Sequence, residues 1–120
     1  MLKFEVLDLK RIKWDLEEVV AIVDLYFRFE NGLISDLDVE LMELSQTLNR
    51  RADILGIAHD EKFRNLNGMK CIFQNVRYCA TDGEVGLSNV SQLHQRTVEL
   101  YFNDRKSFDE ILNRFRENYC

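Results

Sequence analysis

The sequence predicts an all-α fold, a compact bundle of about five helices. None of its 120 residues is proline, and helix interiors exclude proline because its ring removes a backbone donor and clashes with the preceding turn. Apolar residues recur at the i, i+3, i+4 and i+7 spacing that places them on one face of a helix. An Asp, Ser or Asn residue suited to capping precedes these apolar stripes.

Residues 1–12 precede the first helix signal and are expected to form an N-terminal arm. Leu2, Phe4 and Val6 alternate with polar residues, and this period of two is typical of a strand. A short extended strand is therefore compatible with the arm, although the sequence offers no obvious partner strand.

The first helix is predicted to begin after Trp14. Asp15 and Glu18 have the spacing of a capping box. An apolar stripe follows, comprising Leu16, Val19, Val20, Val23, Tyr26 and Phe27. Asn31 and Gly32 are expected to end the helix, with glycine in the left-handed cap position.

A second helix is predicted to start at Ser35, with Asp36 and Asp38 at the positive end of its dipole. Its inner face is formed by Leu37, Leu41, Leu44 and Leu48. The helix is expected to continue to about Leu55, where Gly56 breaks it.

The third helix is predicted to run from Asn65, its cap, to about Tyr78. Its apolar back comprises Met69, Ile72, Phe73 and Val76. A fourth helix is expected over residues 91–102. A fifth is expected to start at Ser107, because Ser107 and Glu110 have capping-box spacing.

Composition predicts one folded domain spanning residues 1–120, with the helical part at 13–118. Hydrophobic residues make up 46% and charged residues 31% of the chain, which is typical of globular proteins. No apolar run approaches the roughly 18 residues of a membrane span, and a cytoplasmic location without membrane contact is expected. Cys71, Cys79 and Cys120 form no C-x-x-C pair, so neither a disulfide framework nor a zinc site is predicted.

Charge is distributed unevenly along the chain. The net charge is −5, which argues against a non-specific nucleic-acid coat. Residues 31–48 carry four acids and no bases, whereas residues 49–80 carry six bases and three acids. A local positive surface on an acidic body fits a site-specific partner.

The predicted nucleic-acid interface is the polar front of the third helix together with nearby basic residues. Lys, Arg, Gln and Asn are the residue types that reach phosphates and base edges. The predicted set comprises Arg50, Arg51, Lys62, Arg64, Asn65, Asn67, Lys70, Gln74 and Arg77. The second and third helices would form a helix-turn-helix-like pair, although their connection exceeds the usual three or four residues. A solvated helix face is the alternative interpretation of the same pattern.

An acidic group on the second helix offers a second candidate surface. It comprises Asp36, Asp38, Glu40 and Glu43. A solvated acidic face is the simple interpretation, and a phosphate-mimicking patch that binds a protein is the alternative.

No catalytic or metal-binding residue is predicted, and no cofactor. His59 stands beside Asp60 and Glu61, but adjacent residues on one loop rarely converge on one ion. Ser91 and His94 lack an oxyanion loop and an orienting acid, so helix capping is the expected role.

A longer series of residues points to a known family. The series comprises Trp14, Glu17, Glu18, 24–28, 43–45, 48–50, 62–65, 67–68, Lys70, Asn75, 82–83, 86–88, Glu99, Phe102, Asp104 and Arg105. In this series the chain resembles the N-terminal head domain of prokaryotic McrA-like HNH endonucleases over roughly residues 13–112. Leu66 departs from the proline that is usual in the family, and 53–60 resembles an insertion.

The resemblance implies a recognition module rather than an enzyme. The histidines and ββα scaffold of an HNH nuclease are missing, so a stand-alone head domain is expected to bind DNA, modified DNA included, in restriction-modification and host defence. The alternative is an inhibitor from a phage or mobile element that blocks a host defence nuclease, an anti-CRISPR-type protein. The expected partner is DNA or a nucleic-acid-processing protein, and the expected state is a monomer or homodimer.

Overall fold

The computed structural model describes residues 12–120, and over this range the chain forms five helices without a strand. The helices are α1 (Leu16–Glu30), α2 (Leu37–Ile54), α3 (Leu66–Ala80), α4 (Gln92–Asn103) and α5 (Arg105–Tyr119). The predicted all-α bundle is thereby confirmed. The strand predicted around Leu2, Phe4 and Val6 lies outside the described residues.

Helix α1 is the centre of the bundle and packs against all four other helices. Five consecutive residues, 19–23, are each at most 4% exposed. A helix that is apolar on all sides must be covered on all sides, so the predicted stripe understates how deeply α1 is buried. None of the helices between residues 12 and 120 has both the length and the apolar composition of a bilayer span.

The helix starts follow the capping signals of the sequence. Asp15 and Glu18 form the predicted capping box, with reciprocal bonds of 3.0 and 3.1 Å between side chain and backbone. Asp36 caps α2, one residue later than the predicted Ser35. Asn65 caps α3 by accepting the Gly68 N–H at 2.9 Å. These caps satisfy backbone donors that the first helical turn leaves free.

The cap predicted for the fifth helix, Ser107, is wrong by three residues. The helix begins at Arg105, and Asp104 caps it by accepting the N–H and Oγ–H of Ser107 at 3.2 and 2.8 Å. Asp104 also ends α4, so a single residue with φ −145° separates the two helices. The hydrogen bonds from Ser107 lower the pKa of the Asp104 carboxyl.

A buried ion pair connects α1 to the residue before the α3 cap. Arg64 donates from Nε and Nη2 to the two carboxylate oxygens of Glu18, at 2.8 and 2.9 Å. Its Nη1 and Nη2 also donate to the carbonyls of Ile12 and Lys13, each at 3.1 Å. The side chains are only 7% and 2% exposed, so water does not compete for these bonds.

Aromatic rings and α2 complete the surroundings of Arg64. The guanidinium carbon lies 4.3 Å from the ring centroids of both Trp14 and Phe63, a distance at which cation–π attraction operates. Ser45 donates its hydroxyl to the Arg64 carbonyl, and Asn49 donates to the Phe63 carbonyl at 2.9 Å. The loop that leads into α3 is therefore fixed by α1 and α2 together.

The α2–α3 pair is antiparallel, as the contacts of Ser45 with Arg64 and of Asp38 with Lys70 show. Eleven residues, 55–65, connect the two helices. This connection is much longer than the turn of a helix-turn-helix unit. The tight form of that motif is therefore absent between α2 and α3, and the likeness is limited to two packed helices.

Replacement of Arg64 by Met should lower the free energy of unfolding by about 3–5 kcal/mol, because the Glu18 carboxylate would stay buried without a partner. Urea denaturation followed by circular dichroism measures this loss. The free energy of unfolding should fall less in the double variant Glu18→Leu/Arg64→Met than in Arg64→Met alone, since the double variant leaves no buried charge.

Arg96→Met is the matched control because Arg96 is exposed on α4. It should change the unfolding free energy by less than about 0.5 kcal/mol. An Arg64→Met midpoint equal to that of the wild type would contradict a stabilising role for the pair.

Candidate nucleic-acid interface

The outward face of α3 carries four polar residues in one stripe. Asn67, Lys70, Gln74 and Arg77 are separated by three, four and three positions, and this spacing keeps them on one side of a helix. Asn67 and Lys70 are exposed, whereas Gln74 and Arg77 are half-buried. We call these four residues the α3 stripe.

The opposite side of α3 holds the helix in the core. Met69, Phe73 and Val76 are each at most 1% exposed. Phe73 packs edge-on against Tyr26 and Phe29 of α1, with ring centroids 5.4 and 5.6 Å apart. Because this side is fixed against α1, Asn67 and Lys70 of the α3 stripe stay exposed, whereas Gln74 and Arg77 lie nearer the core and are half-buried.

The loop after α3 folds back over the C-terminal half of the helix. The Leu87 N–H donates to the Gln74 carbonyl at 3.1 Å. A Cβ at Gly86 would lie 2.3 Å from that same carbonyl oxygen, and Gly86 has φ +108°. Only glycine allows this approach and this backbone angle, so glycine is required at position 86.

An acidic group contacts Lys70 of the α3 stripe, and Arg77 lies near the buried Tyr26. Lys70 Nζ lies 3.4 Å from an Asp38 carboxylate oxygen, with both side chains largely exposed. At the other end, burial raises the pKa of the Tyr26 phenol, as does the Glu30 carboxylate, while the positive charge of Arg77 acts in the opposite direction. The positive charge of the stripe is therefore partly neutralised by Asp38 of α2.

Arg51 and Arg64 belong to the fold and not to the predicted interface. Arg51 is 8% exposed and donates to Glu17 and Asp15 at 2.7 and 2.9 Å. Arg64 is held by Glu18 and two backbone carbonyls, as described above. Because their donors are occupied inside the protein, neither residue is available for the predicted phosphate contact.

The other predicted contacts keep at least part of their side chains exposed. Arg50 is exposed, although its Nη2 donates to the Tyr119 carbonyl at 2.8 Å. Lys62 is exposed on the loop before α3. The Asn65 side chain caps α3, so its amide oxygen already accepts the Gly68 N–H.

The four acids of α2 have different contacts within the protein. Asp36 caps the helix, Asp38 contacts Lys70, and Glu40 lies 3.5 Å from Arg28 of α1. Glu43 lines a cleft between α1, α2 and α5. Each residue turns the helix by 100°, so closely spaced acids point to different neighbours. The spacing of Asp36, Glu40 and Glu43 still places them on one side of α2, whereas Asp38 faces Lys70 of α3, so the acidic surface stays a prediction.

His59 fastens the loop between α2 and α3. Its Nε2 lies 2.7 Å from an Asp53 carboxylate oxygen, and its Nδ1 lies 3.0 Å from the Asp60 carbonyl. The hydrogen bond to the Asp60 carbonyl raises the pKa of the imidazole, and Asp53 raises it further. Within residues 12–120, no three metal-ligating side chains are grouped in a way that could hold a metal ion.

His94 is a capping residue, as expected from the sequence. Its Nδ1 accepts the Ser91 N–H at 3.3 Å, and Ser91 Oγ accepts the His94 N–H at the same distance. Burial lowers the pKa of the His94 imidazole, so the ring is neutral at pH 7 with its proton on Nε2.

Ser45 and Asn49 attach the loop before α3 to α2, a role that the sequence did not predict. They lie four residues apart on the side of α2 that faces residues 63 and 64. Two polar residues at this spacing beside Leu41 and Leu48 could have indicated a helix face that receives backbone carbonyls.

Comparison with protein-family models, curated protein sequences and solved structures gives no match for this chain. The resemblance to HNH head domains stays a prediction. Several residues on which it is based, including Trp14, Glu18, Asn49, Phe63 and Arg64, lie together around the buried ion pair. Their shared position indicates a role in the fold.

The pKa of His59 should exceed 6.5, the usual value for histidine. The folded protein then holds this proton more tightly than the unfolded chain does. The stabilisation is fully present below about pH 6.5 and is lost as the pH rises through the raised pKa. NMR titration of the imidazole in the wild type and in Asp53→Asn measures the shift.

Asp53→Asn should move the His59 pKa down and leave His94, which should titrate below 6.5, unchanged. A His59 pKa below 6.5 in the wild type would contradict the hydrogen bonds that fasten this loop.

Proposed function

We propose that this chain is a non-catalytic recognition module that binds DNA through the outward face of α3. The observation that carries the proposal is the α3 stripe, in which Asn67, Lys70, Gln74 and Arg77 line one face of a helix whose other side is buried. A helix with this distribution can present several long polar side chains to a groove at once.

The stripe supplies two kinds of contact. Lys70 and Arg77 provide positive charge for phosphate oxygens, and Lys62 on the preceding loop adds a third cation. Asn67 and Gln74 provide paired amide donors and acceptors, which can recognise adenine through two hydrogen bonds in the major groove. A target with a modified or distorted base is included in the proposal, since the stripe offers both charge and hydrogen bonds.

The neighbouring acids would limit binding to sites that use the whole stripe. An exposed ion pair such as Lys70–Asp38 contributes only about 0–1 kcal/mol, so Lys70 can exchange Asp38 for a phosphate at small cost. The net charge of −5 would repel DNA that approaches elsewhere on the protein. We therefore expect weak binding to DNA in general and selective binding to sites that contact the whole α3 stripe.

The resemblance to HNH head domains supports the same class of function. It implies a module that assists target recognition in restriction-modification, separated from a catalytic domain. The competing interpretation is a phage or mobile-element inhibitor of a defence nuclease that binds through the acids of α2. Two of these acids, Asp38 and Glu40, already contact Lys70 and Arg28 within the protein, which favours the DNA-binding proposal.

Replacement of Lys70 and Arg77 together by Ala should weaken binding to a labelled DNA duplex roughly tenfold or more. The slope of log affinity against log salt concentration should fall by about 1–2, because each lost phosphate contact removes about 0.9 from that slope. Fluorescence anisotropy at several salt concentrations measures both quantities.

Arg96→Ala/Arg114→Ala is the matched control for this experiment. It removes the same charge from exposed positions on α4 and α5 and should leave affinity and salt slope nearly unchanged. Equal binding by the wild type and the Lys70/Arg77 variant, at any salt concentration, would overturn the proposal.

Asp38→Asn should strengthen binding to the same duplex by about two- to fivefold. The change removes the carboxylate that competes with phosphate for Lys70, and an exposed pair of this kind is worth less than about 1 kcal/mol. The gain should disappear when Lys70 is also replaced by Ala.

Asp109→Asn is the matched control because it removes one exposed carboxylate from α5. An equal gain from both Asn variants would mean that net charge alone sets the affinity and that the α3 stripe is not the contact.

A further inference from the structure

A cleft of about 150 Å³ lies between α1, α2 and α5, on residues that the proposed DNA contact does not use. Its apolar part is formed by Ala21, Leu25, Leu112 and Phe115, each at most 6% exposed. A cavity of this volume is comparable to one that accepts a benzene-sized group, so the cleft can hold a single side chain.

The rim of the cleft carries an incomplete set of ion pairs. One oxygen of Asp24 accepts from Arg28 Nε at 2.9 Å and from Arg116 Nη2 at 3.0 Å. Arg28 also lies 3.5 Å from Glu40. Both arginines are therefore already engaged by carboxylates of the protein itself.

Glu43 is the remaining charge at this rim. No cationic side chain of residues 12–120 forms an ion pair with it. Among the side chains of the rim, three carboxylates face two guanidinium groups, so these side chains carry a formal charge of −1. Glu40 and Glu43 are three positions apart on α2, a spacing that places two side chains on neighbouring parts of one face.

From this charge and shape we propose that the cleft binds one arginine side chain of a protein partner. The methylene stem would lie on the apolar part of the cleft, as such stems do on apolar surface. The guanidinium would then donate to the Glu43 carboxylate and reach Glu40. An anion is a poor occupant because both arginines of the rim are held by Asp24 and the net charge is negative.

The cleft shares no residue with the α3 stripe. A module with both sites could contact DNA through α3 and a protein partner through α1, α2 and α5. A short basic segment of that partner would supply the arginine.

N-acetyl-arginine-amide is the probe that tests this site. In NMR titration of the intact chain, it should cause saturable shifts of backbone signals around Asp24, Arg28, Glu43 and Thr47, which all line the cleft. N-acetyl-citrulline-amide, which has the same shape without the charge, should bind at least roughly tenfold more weakly, since one charge-assisted hydrogen bond is worth about 1.5–3 kcal/mol.

Glu43→Gln should weaken binding of the arginine probe by roughly tenfold or more, while Glu84→Gln, an exposed acid on the loop after α3, should have no effect. Equal shifts by the arginine and citrulline probes, or unchanged binding to Glu43→Gln, would overturn the proposal. Shifts centred on α3 rather than on the cleft would overturn it as well. The DNA-binding proposal is tested separately, because Glu43 lies outside the α3 stripe.

Discussion

The ion pair between Glu18 and Arg64 is the interaction on which the position of α3 depends. A buried pair adds little net stability compared with well-packed apolar groups, but leaving one partner unpaired is costly. The pair therefore acts mainly as a constraint, since other placements of residue 64 would leave a charge buried. With the carbonyls of residues 63 and 64 held by Asn49 and Ser45, the start of α3 is fixed against α1 and α2. The direction of the α3 stripe follows from this attachment.

The second organising feature is the pairing of acids with bases across helices. Lys70 meets Asp38, Arg28 and Arg116 meet Asp24, and Arg51 meets Asp15 and Glu17. Of the six basic residues in 49–80, three (Arg51, Arg64 and Lys70) are thus paired with carboxylates of the protein itself. What is left for a partner is small and local, which favours recognition of a defined site over general attraction to polyanions. At the cleft, Glu43 is the corresponding negative charge, since no cationic side chain of residues 12–120 forms an ion pair with it.

Sequence reasoning was accurate where local chemistry decides the structure. The capping box of Asp15 and Glu18 and the breaks at Gly32 and Gly56 were predictable, because each depends on residues within one helical turn. The start of α5 was mispredicted since two caps, Asp104 and Ser107, compete within three residues. The roles of Arg51 and Arg64 were not predictable in the same way. Their partners are 34 to 46 positions away, and nothing in a basic residue itself reveals that a distant carboxylate will bury it.

The amino-acid sequence by itself determined the helical class, the number of helices and most of their ends, because capping and apolar periodicity act over a few residues. Tertiary structure alone decided which charges are free. It divided the acids of α2 among α1, α3 and the cleft, and it placed two of the predicted basic contacts inside the fold. The physical reason is that the free energy of a charge depends on its burial and on its nearest opposite charge. Both are set by helix packing and not by neighbours along the chain.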